Sequence, residues 1–255
     1  MARDMFHTFD SIRFGLMVGI GGGVPSSASD IRLGDVVVSK PSGTSGGVIQ
    51  YDFGKMVQDG RFTRICSLNR PLDVILRAVA SLQAKHIMEN HKILDYLSNM
   101  MEKYPAIRKE FAYQGVQHDQ LFETDYEHAG NDATCEQCDA NKLIIGPLVI
   151  KTIQLFYGLI ASANQIMSHG RTRDRLGREL QVLCFDMEAA GLTDKFPCLV
   201  IRASVIIRIR TRTIVGNRMQ QLQPQHMQRD FSTLCPEIRL LAHAQRLRHL
   251  PEQVR

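Results

Sequence analysis

A run of apolar residues that ends in a cluster of glycines sets the strongest limit on how this chain can fold. Residues 14–20 read Phe-Gly-Leu-Met-Val-Gly-Ile, and residues 19–23 read Gly-Ile-Gly-Gly-Gly. A short, continuous apolar run bounded by glycine is typical of a strand buried on both faces, as in the sheets of α/β proteins. We therefore predict a buried strand over residues 14–20 that is closed by a glycine turn.

Strand and helix signals alternate along the rest of the chain. Short β-branched or apolar runs predict further strands at residues 34–39, 157–162, 182–185 and 198–201. Apolar residues at helical spacing predict helices from Pro71 onward, around Leu94, over residues 171–180 and over residues 187–192. Because this alternation is typical of the α/β class, we predict an α/β fold.

The composition favours a soluble protein with one large domain. The chain has 255 residues, of which 44% are hydrophobic and 22% charged, and this is ordinary for a globular protein. No apolar stretch approaches the roughly 18 residues of a membrane span, and Arg3 followed by Asp4 is not typical of a signal peptide. Six cysteines are too few for a disulfide scaffold. We expect a cytoplasmic protein with reduced thiols.

The excess of basic residues lies at the C-terminal end. Residues 203–255 hold nine Arg, no Lys and three acidic residues, whereas residues 1–202 hold 22 basic and 23 acidic ones. A basic body would favour nucleic acid or an acidic membrane as a partner. Since the body is close to neutral, we expect neither partner, and the tail stands out as a segment of different composition.

The glycine cluster at residues 19–23 has a functional and a structural interpretation. Glycines let a backbone approach a ligand closely and expose its N–H groups. A dinucleotide-binding turn requires Gly-x-Gly-x-x-Gly before a helix, but Val24 takes the place of the last glycine and another predicted strand follows. Dinucleotide binding is therefore disfavoured, and a structural turn and a segment that lines a ligand both stay open.

A pair of cysteines, Cys135 and Cys138, has the spacing of two zinc ligands. A structural zinc site requires four ligands, and His118 and His128 could supply the others. A second cysteine pair with the usual spacing is missing from the sequence, and so is the thioredoxin pattern. We favour a surface loop with free thiols, and we expect no metal and no other cofactor.

Two acids flank Met187 where a predicted strand meets a predicted helix. Asp186 and Glu188 thus stand at a strand end, which is where open α/β sheets place ligand-binding groups. Acids at the start of a helix also stabilise the helix dipole. Taken alone, the motif favours this structural role.

Taken together, the motifs occur in an order that resembles the purine nucleoside phosphorylase and uridine phosphorylase superfamily. The matching segments are Gly-Leu-Met-Val-Gly-Ile-Gly-Gly-Gly at 15–23, Gly-Asp-Val-Val-Val-Ser at 34–39, Ser-Ala-Asn-Gln at 162–165 and Asp-Met-Glu-Ala-Ala at 186–190. Within the superfamily the chain resembles the methylthioadenosine/adenosylhomocysteine nucleosidases. More narrowly, it resembles fungal nucleoside phosphorylase-like domains that stand before NACHT, ankyrin or tetratricopeptide regions. The resemblance extends over residues 9–202.

The resemblance implies a three-layer α/β/α sandwich around a mixed central sheet, with a site for a nucleoside. The implied substrate-binding residues are Ile20, Gly21, Gly22, Ile166, Met167, Asp186, Met187 and Glu188. By resemblance, the first three line the ribose pocket with their backbone, and Ile166 and Met167 pack on the base. Met187 lies under the ribose, and Glu188 accepts hydrogen bonds from its 2′ and 3′ hydroxyls. Asp186 stands where many nucleosidases have Glu.

Two parts of the family domain are expected to be missing. The resemblance places roughly the first quarter of that domain, with its phosphate-binding segments, before Met1, so we expect a fold truncated at the N-terminus. Family members also continue after the strand that ends at Arg202 with Gly-Ile-Cys-Asp-Tyr, whose aspartate protonates the leaving base. This chain continues with Ala-Ser-Val-Ile-Ile. We therefore predict that it has no general acid.

The tail itself suggests how the acid was lost. Codons for residues 203–213 can be chosen so that a one-base shift reads Gly-Ile-Cys-Asp-Tyr-Ser-Asp-Ser-His-Lys-Asn, which contains the missing family motifs. Codons for residues 219–232 can likewise give an alanine-rich helix like that of the family. We interpret residues 1–202 as the nucleoside phosphorylase-like domain and residues 203–255 as an aberrant tail translated out of frame.

The expected activity of the family domain is cleavage of the N-glycosidic bond of a purine-type nucleoside by hydrolysis or phosphorolysis. We predict negligible turnover in this chain, because a purine anion leaves poorly without a proton donor. The alternative is a non-catalytic nucleoside-binding module or a decayed fragment. The expected partner is a small nucleoside, and phosphate and a second copy of the chain stay open as further partners.

Overall fold

The fold is that of a computed structural model, which describes Thr8 and residues 12–89, 91–105, 121–126, 137–144, 153–167 and 169–205. At Asp59, Leu97, Met100 and Val205 it describes the backbone alone. The chain divides into two compact units, one formed by Met1–Pro71 with Gly115–Gln221 and the other by Leu72–Gln114 with Leu222–Arg255. A helix long and apolar enough to cross a membrane is not found among the described residues.

The described part of the first unit contains eight strands and two α-helices. The strands are β1 Gly15–Gly23, β2 Val36–Ser39, β3 Val48–Gln50, β4 Gly54–Met56, β5 Phe62–Arg64, β6 Leu155–Ser162, β7 Val182–Asp186 and β8 Cys198–Val205. The second unit contains α1 Asp73–Met88 and α2 Ile93–Lys103, and the first contains α3 Gly170–Leu180 and α4 Ala189–Thr193. Every strand predicted from the sequence is present.

Six of the strands form one mixed sheet in the order β2-β8-β1-β7-β6-β3, and β4 and β5 form a separate hairpin. β1 runs parallel to β8 and antiparallel to β7, while β6 runs parallel to β2, β3 and β7. Because β2 pairs with both β8 and β6, five of these strands close into a ring. The predicted α/β class with a mixed central sheet is confirmed.

The glycine run forms strand rather than the predicted turn. β1 pairs with β8 without a break from Gly15 opposite Cys198 to Gly22 opposite Val205. A Cβ atom on Gly19 would lie 2.1 Å from Nη1 of Arg202, and one on Gly23 would lie 2.3 Å from the Ser204 hydroxyl oxygen. Glycine is therefore needed here because the side chains of the paired strand lie where a Cβ would be.

Three boundaries differ from those predicted, each for a local reason. The helix predicted from Pro71 begins at Asp73, after Leu72 has accepted backbone hydrogen bonds from Ile75 and Leu76. The helix predicted over residues 187–192 begins at Ala189, because Asp186 and Ser162 accept the first amide hydrogens. The strand predicted over residues 198–201 continues to Val205 through its pairing with β1.

Two apolar clusters hold the sheet in place. One is formed by buried residues of β2, β3, β6, β7, β8 and α4 together with two loops: Ile31, Val37, Val48, Leu68, Ile160, Cys184, Ala189, Ala190, Cys198 and Val200. The other joins α3 to the sheet: Val24, Leu159, Ala161, Met167, Leu176, Val182 and Phe185. α3 comes close to the end of β1 because Gly177 has no side chain, and a Cβ there would lie 2.6 Å from Val24.

In the second unit, α1 and α2 are the two described helices. Asp73 lies in the first turn of α1, and Lys85 and His86 lie in its last turn. Charges of these signs favour a helix because they oppose its dipole. Ile75 and Val79 are the buried residues of α1 and lie four apart, as the apolar spacing predicts.

A buried hydroxyl extends the ladder where β2 stops pairing with β8. The hydroxyl of Ser39 accepts the backbone N–H of Val200 at 2.9 Å, and both residues are buried. We predict that Ser39→Ala lowers the free energy of unfolding by about 1–3 kcal/mol, because a buried donor is left without a partner. Ser26→Ala is the control. The Ser26 hydroxyl accepts an exposed N–H from Ser29, and water can replace that acceptor, so the free energy of unfolding should fall much less. Equal losses in denaturant titrations would contradict this assignment.

Candidate active site

The strand register brings the separate sequence motifs side by side. Ser162 at the end of β6 lies opposite Asp186 at the end of β7. On the other side of β7, Gly22 of β1 lies opposite Phe185, and a Cβ on Gly21 would lie 2.9 Å from the Phe185 carbonyl oxygen. Three motifs that are far apart in the sequence thus meet on adjacent strands.

A buried ion pair lies at the centre of this region. Arg202 of β8 donates through Nη2 to Oδ2 of Asp186, and the side chains are 3% and 0% exposed. The same nitrogen lies 3.3 Å from Oε2 of Glu188 and 3.3 Å from the Met17 sulfur. The guanidinium of Arg202 on β8 therefore contacts both β1 and β7.

The two carboxylates of the Asp-Met-Glu motif have different surroundings. Oδ1 of Asp186 accepts the N–H of Ala189 at 3.1 Å, so both oxygens of this acid have protein partners. The hydroxyl of Ser162 accepts the next amide, that of Ala190, at 3.0 Å. Asp186 and Ser162 therefore fix the start of α4 as well as the end of the sheet.

Glu188, in contrast, is open to a ligand. Its side chain is 63% exposed, and its one hydrogen bond among the described residues is the contact with Arg202. Met187 beside it is 43% exposed. A carboxylate held by a buried cation but facing solvent can accept hydrogen bonds from hydroxyl groups and can stabilise a nearby positive charge.

The other residues implied by the resemblance fall on β1 and on the loop after β6. Ile20 pairs with Ala203 of β8 and is half-buried, and Gly21 and Gly22 are buried. Met167 is buried in the apolar cluster that contains Phe185, whereas Ile166 is 66% exposed. The structure therefore joins Met167 to the strands of the site and leaves Ile166 free to meet a ligand.

Two buried thiols lie near the ion pair. Burial raises the pKa of Cys198 to about 12, against smaller lowering effects of a backbone hydrogen bond from Met17 and of Arg202. Burial also raises the pKa of Cys184, and the charge of Asp186 raises it further. Both thiols therefore stay protonated near neutral pH and do not act as nucleophiles.

Sequence reasoning missed Arg202 and Asp52 as residues of this region. Arg202 was recognised only as the last residue of a strand, although a charge in an apolar run is a sign of a buried partner. Asp52 follows β3, and its Oδ2 accepts the backbone N–H of Asn164 at 2.9 Å. The strand-end position of Asp52 was the signal that could have identified it.

The candidate zinc ligands lie mostly outside the described residues. Cys138 is described and half-buried, while Cys135, His118 and His128 are outside the described ranges. Within those ranges, three or more His, Cys, Asp or Glu side chains do not gather as a metal site would require.

The contribution of the buried ion pair to stability can be measured directly. We predict that Arg202→Met lowers the free energy of unfolding by about 3–5 kcal/mol, because it leaves the Asp186 carboxylate buried without its cation. Arg175→Met is the matched control, since Arg175 pairs with Glu179 at 3.8 Å on the surface and should change stability by less than about 1 kcal/mol. Similar losses of stability for the two variants in denaturant titrations would show that the buried pair contributes no more than the surface pair.

In sequence, the chain matches none of the protein-family models. A nucleotide-binding leucine-rich repeat (NLR)-like protein of Hyaloscypha variabilis is 41% identical over 198 residues, which are 78% of this chain and 19% of that protein. The chain thus spans about a fifth of the length of this relative.

Solved structures of nucleosidases are similar to the chain. A 5′-methylthioadenosine/S-adenosylhomocysteine nucleosidase of Helicobacter pylori is 13% identical, with 91% of this chain and 72% of that one covered and a TM-score of 0.49. The same kind of nucleosidase from H. pylori with butyl-thio-DADMe-Immucillin-A is 12% identical, with 95% and 73% covered and a TM-score of 0.49. Futalosine hydrolase of H. pylori is 13% identical, with 91% and 71% covered and a TM-score of 0.46.

Proposed function

We propose that residues 1–202 form a nucleoside phosphorylase-like domain that binds a purine-type nucleoside at the ends of β6 and β7. The observation that carries the proposal is the convergence of three motifs on adjacent strands around the exposed carboxylate of Glu188. The protein is assigned to the cytoplasm, with a nucleoside as its partner. Phosphate and a second copy of the chain are candidate further partners.

The ribose is assigned to Glu188 and Met187. A pair of vicinal hydroxyls fits a carboxylate, which has two acceptor oxygens, and the exposed thioether side chain of Met187 offers an apolar surface beside it. Asp186 supports this arrangement through Arg202, which contacts both acids. Cleavage of an N-glycosidic bond generates positive charge on the ribose, and a nearby carboxylate stabilises such charge.

The base is assigned to the loop after β6. Ile166 presents an exposed apolar side chain and Met167 packs beneath the loop, in the cluster that includes Phe185. Apolar side chains next to a few fixed polar groups are typical of small-molecule sites. The backbone around Ile20, Gly21 and Gly22 completes the proposed site on β1.

Turnover needs a proton donor for the leaving base, and β8 offers none beside Arg202. The strand continues with Ala203, Ser204 and Val205, which carry no acidic side chain. We assign cleavage by hydrolysis or phosphorolysis to the complete family domain and binding with negligible turnover to this chain. The alternative function, a non-catalytic nucleoside sensor, is favoured by the same observation.

The role of Glu188 leads to a prediction about binding. We predict that the chain binds at least one of adenosine, inosine, guanosine and methylthioadenosine, and that Glu188→Gln weakens this binding about tenfold or more, because a charged acceptor for hydroxyl groups is lost. Isothermal titration calorimetry measures the affinities. Glu102→Gln, an exposed change in α2, is the control and should leave them unchanged.

Three outcomes are distinct. Binding without release of free base supports the binding-only assignment, and measurable release of base overturns the claim of negligible turnover. If none of the four nucleosides binds to the folded chain, the proposed function is wrong.

The origin of the tail is a separate proposal with its own measurement. If residues 203–255 are translated out of frame, the transcript across the codons for residues 200–212 should encode Gly-Ile-Cys-Asp-Tyr in the neighbouring frame. A transcript that has only the frame of this chain, with codons that cannot give that run, would refute the idea. A protein made in the restored frame and with the extended N-terminus of the family domain should release free base from at least one of the four nucleosides.

A further inference from the structure

The loop that leaves β6 is held on both sides of Ile166. The backbone N–H of Asn164 donates to Oδ2 of Asp52 at 2.9 Å, and Met167 is buried in the apolar cluster with Phe185. Between these points the loop carries Ile166, whose side chain is 66% exposed. Because the loop is held on both sides of Ile166, the position of this exposed side chain is set by the contacts of its neighbours.

Asp52 is itself held in place by its neighbours. The backbone N–H of Tyr51 donates to the Ser162 carbonyl at 3.1 Å, and the Tyr51 ring meets the Phe185 ring edge-on with centroids 5.4 Å apart. Gln50 donates from Nε2 to the other carboxylate oxygen of Asp52 at 3.2 Å. Asp52 is therefore a fixed point at the end of β3 that lies 112 residues before its partner in the sequence.

The bond from Asn164 is of a strong kind. A carboxylate that accepts a backbone N–H makes a charge-assisted hydrogen bond, which is about twice as strong as a neutral one. Asp52 is exposed, so solvent weakens this bond, but water that replaces the carboxylate cannot fix the direction of the Asn164 amide. Loss of Asp52 would therefore free the Asn164 amide, while the bond from the Ala163 N–H to the Asp186 carbonyl oxygen at 3.2 Å and the buried Met167 still hold the loop on either side.

We propose that Asp52 is a positioning residue for base recognition: it tethers the loop through Asn164 so that Ile166 is presented to the base of a bound nucleoside. This inference rests on the proposed nucleoside-binding function. It assigns positioning of the base to Asp52, just after β3, whereas Glu188 binds the ribose. The two residues should therefore affect different parts of the same ligand.

The experiment compares the full chain with Asp52→Ala, Asp52→Asn and Glu188→Gln. The probes are whichever of the four nucleosides binds most tightly and its free base. Asp52→Ala should weaken binding of both the nucleoside and the free base by the same factor, about tenfold, as expected for a lost charge-assisted hydrogen bond. Glu188→Gln should weaken binding of the nucleoside and leave binding of the free base unchanged, since the free base has no ribose. Asp52→Asn keeps one carbonyl acceptor for Asn164 and should restore most of the affinity.

Hydrogen exchange of the Asn164 amide gives a readout that does not depend on any ligand. It should become about tenfold faster in Asp52→Ala and stay slow in Asp52→Asn. Asp30→Ala is the matched control, because Asp30 is an exposed acid that pairs with Arg32 at 2.7 Å, and it should change neither exchange nor binding.

Each contrary result identifies what is wrong. Unchanged exchange in Asp52→Ala overturns the tether. Faster exchange with unchanged affinity for the free base overturns the role in base recognition, while the proposed function stands. If the wild-type chain binds neither nucleoside nor free base, the proposed function fails together with this inference, and the exchange data still measure the tether by itself.

Discussion

The buried pair of Arg202 and Asp186 is the interaction on which the arrangement of the site depends. A guanidinium that is 3% exposed requires a counter-charge, because an unpaired buried charge costs several kcal/mol. Asp186 supplies that charge and also accepts the first amide of α4. The partner of the cation is thus at the same time the end of β7 and the start of a helix, and Glu188 follows two residues later.

The side chain of Arg202 also explains one glycine of β1, and Ser204 on the same strand explains another. Side chains on a strand alternate between its faces, so Gly19, Gly21 and Gly23 share one face. That face meets Arg202 and Ser204 of β8, and a Cβ on Gly19 or Gly23 would overlap their side chains. The glycines at these positions make room for a paired strand, and Ile20 and Gly22 are left on the opposite face.

The sequence predicts the strands well, but it does not predict how the glycines of β1 pack against the side chains of β8. The difference has a physical cause. Apolar runs such as residues 182–185 and 198–201 contain their own signal, because a buried strand must be apolar along its length. The sequence predicts a turn at the glycine run, because the side chains that require glycine at positions 19 and 23, those of Arg202 and Ser204, lie about 180 residues further along the chain. Asp52 was missed in the same way, because only the fold shows that Asn164 is its partner. The motif order indicated which segments belong together, and the register shows how they meet.

Within one motif, folding and ligand binding are assigned to different acids. Asp186 is fully buried and committed to Arg202 and α4, whereas Glu188 is 63% exposed and bound only through Arg202 among the described residues. The Asp186 pair would have to persist even in a chain that cleaves nothing, because removal of either partner leaves a buried charge. Under the proposed function, the same cation also holds the carboxylate that binds the ribose. Under the same proposal, a chain without a proton donor on β8 would lose turnover but keep the geometry that holds a nucleoside, so that binding and cleavage would be separable.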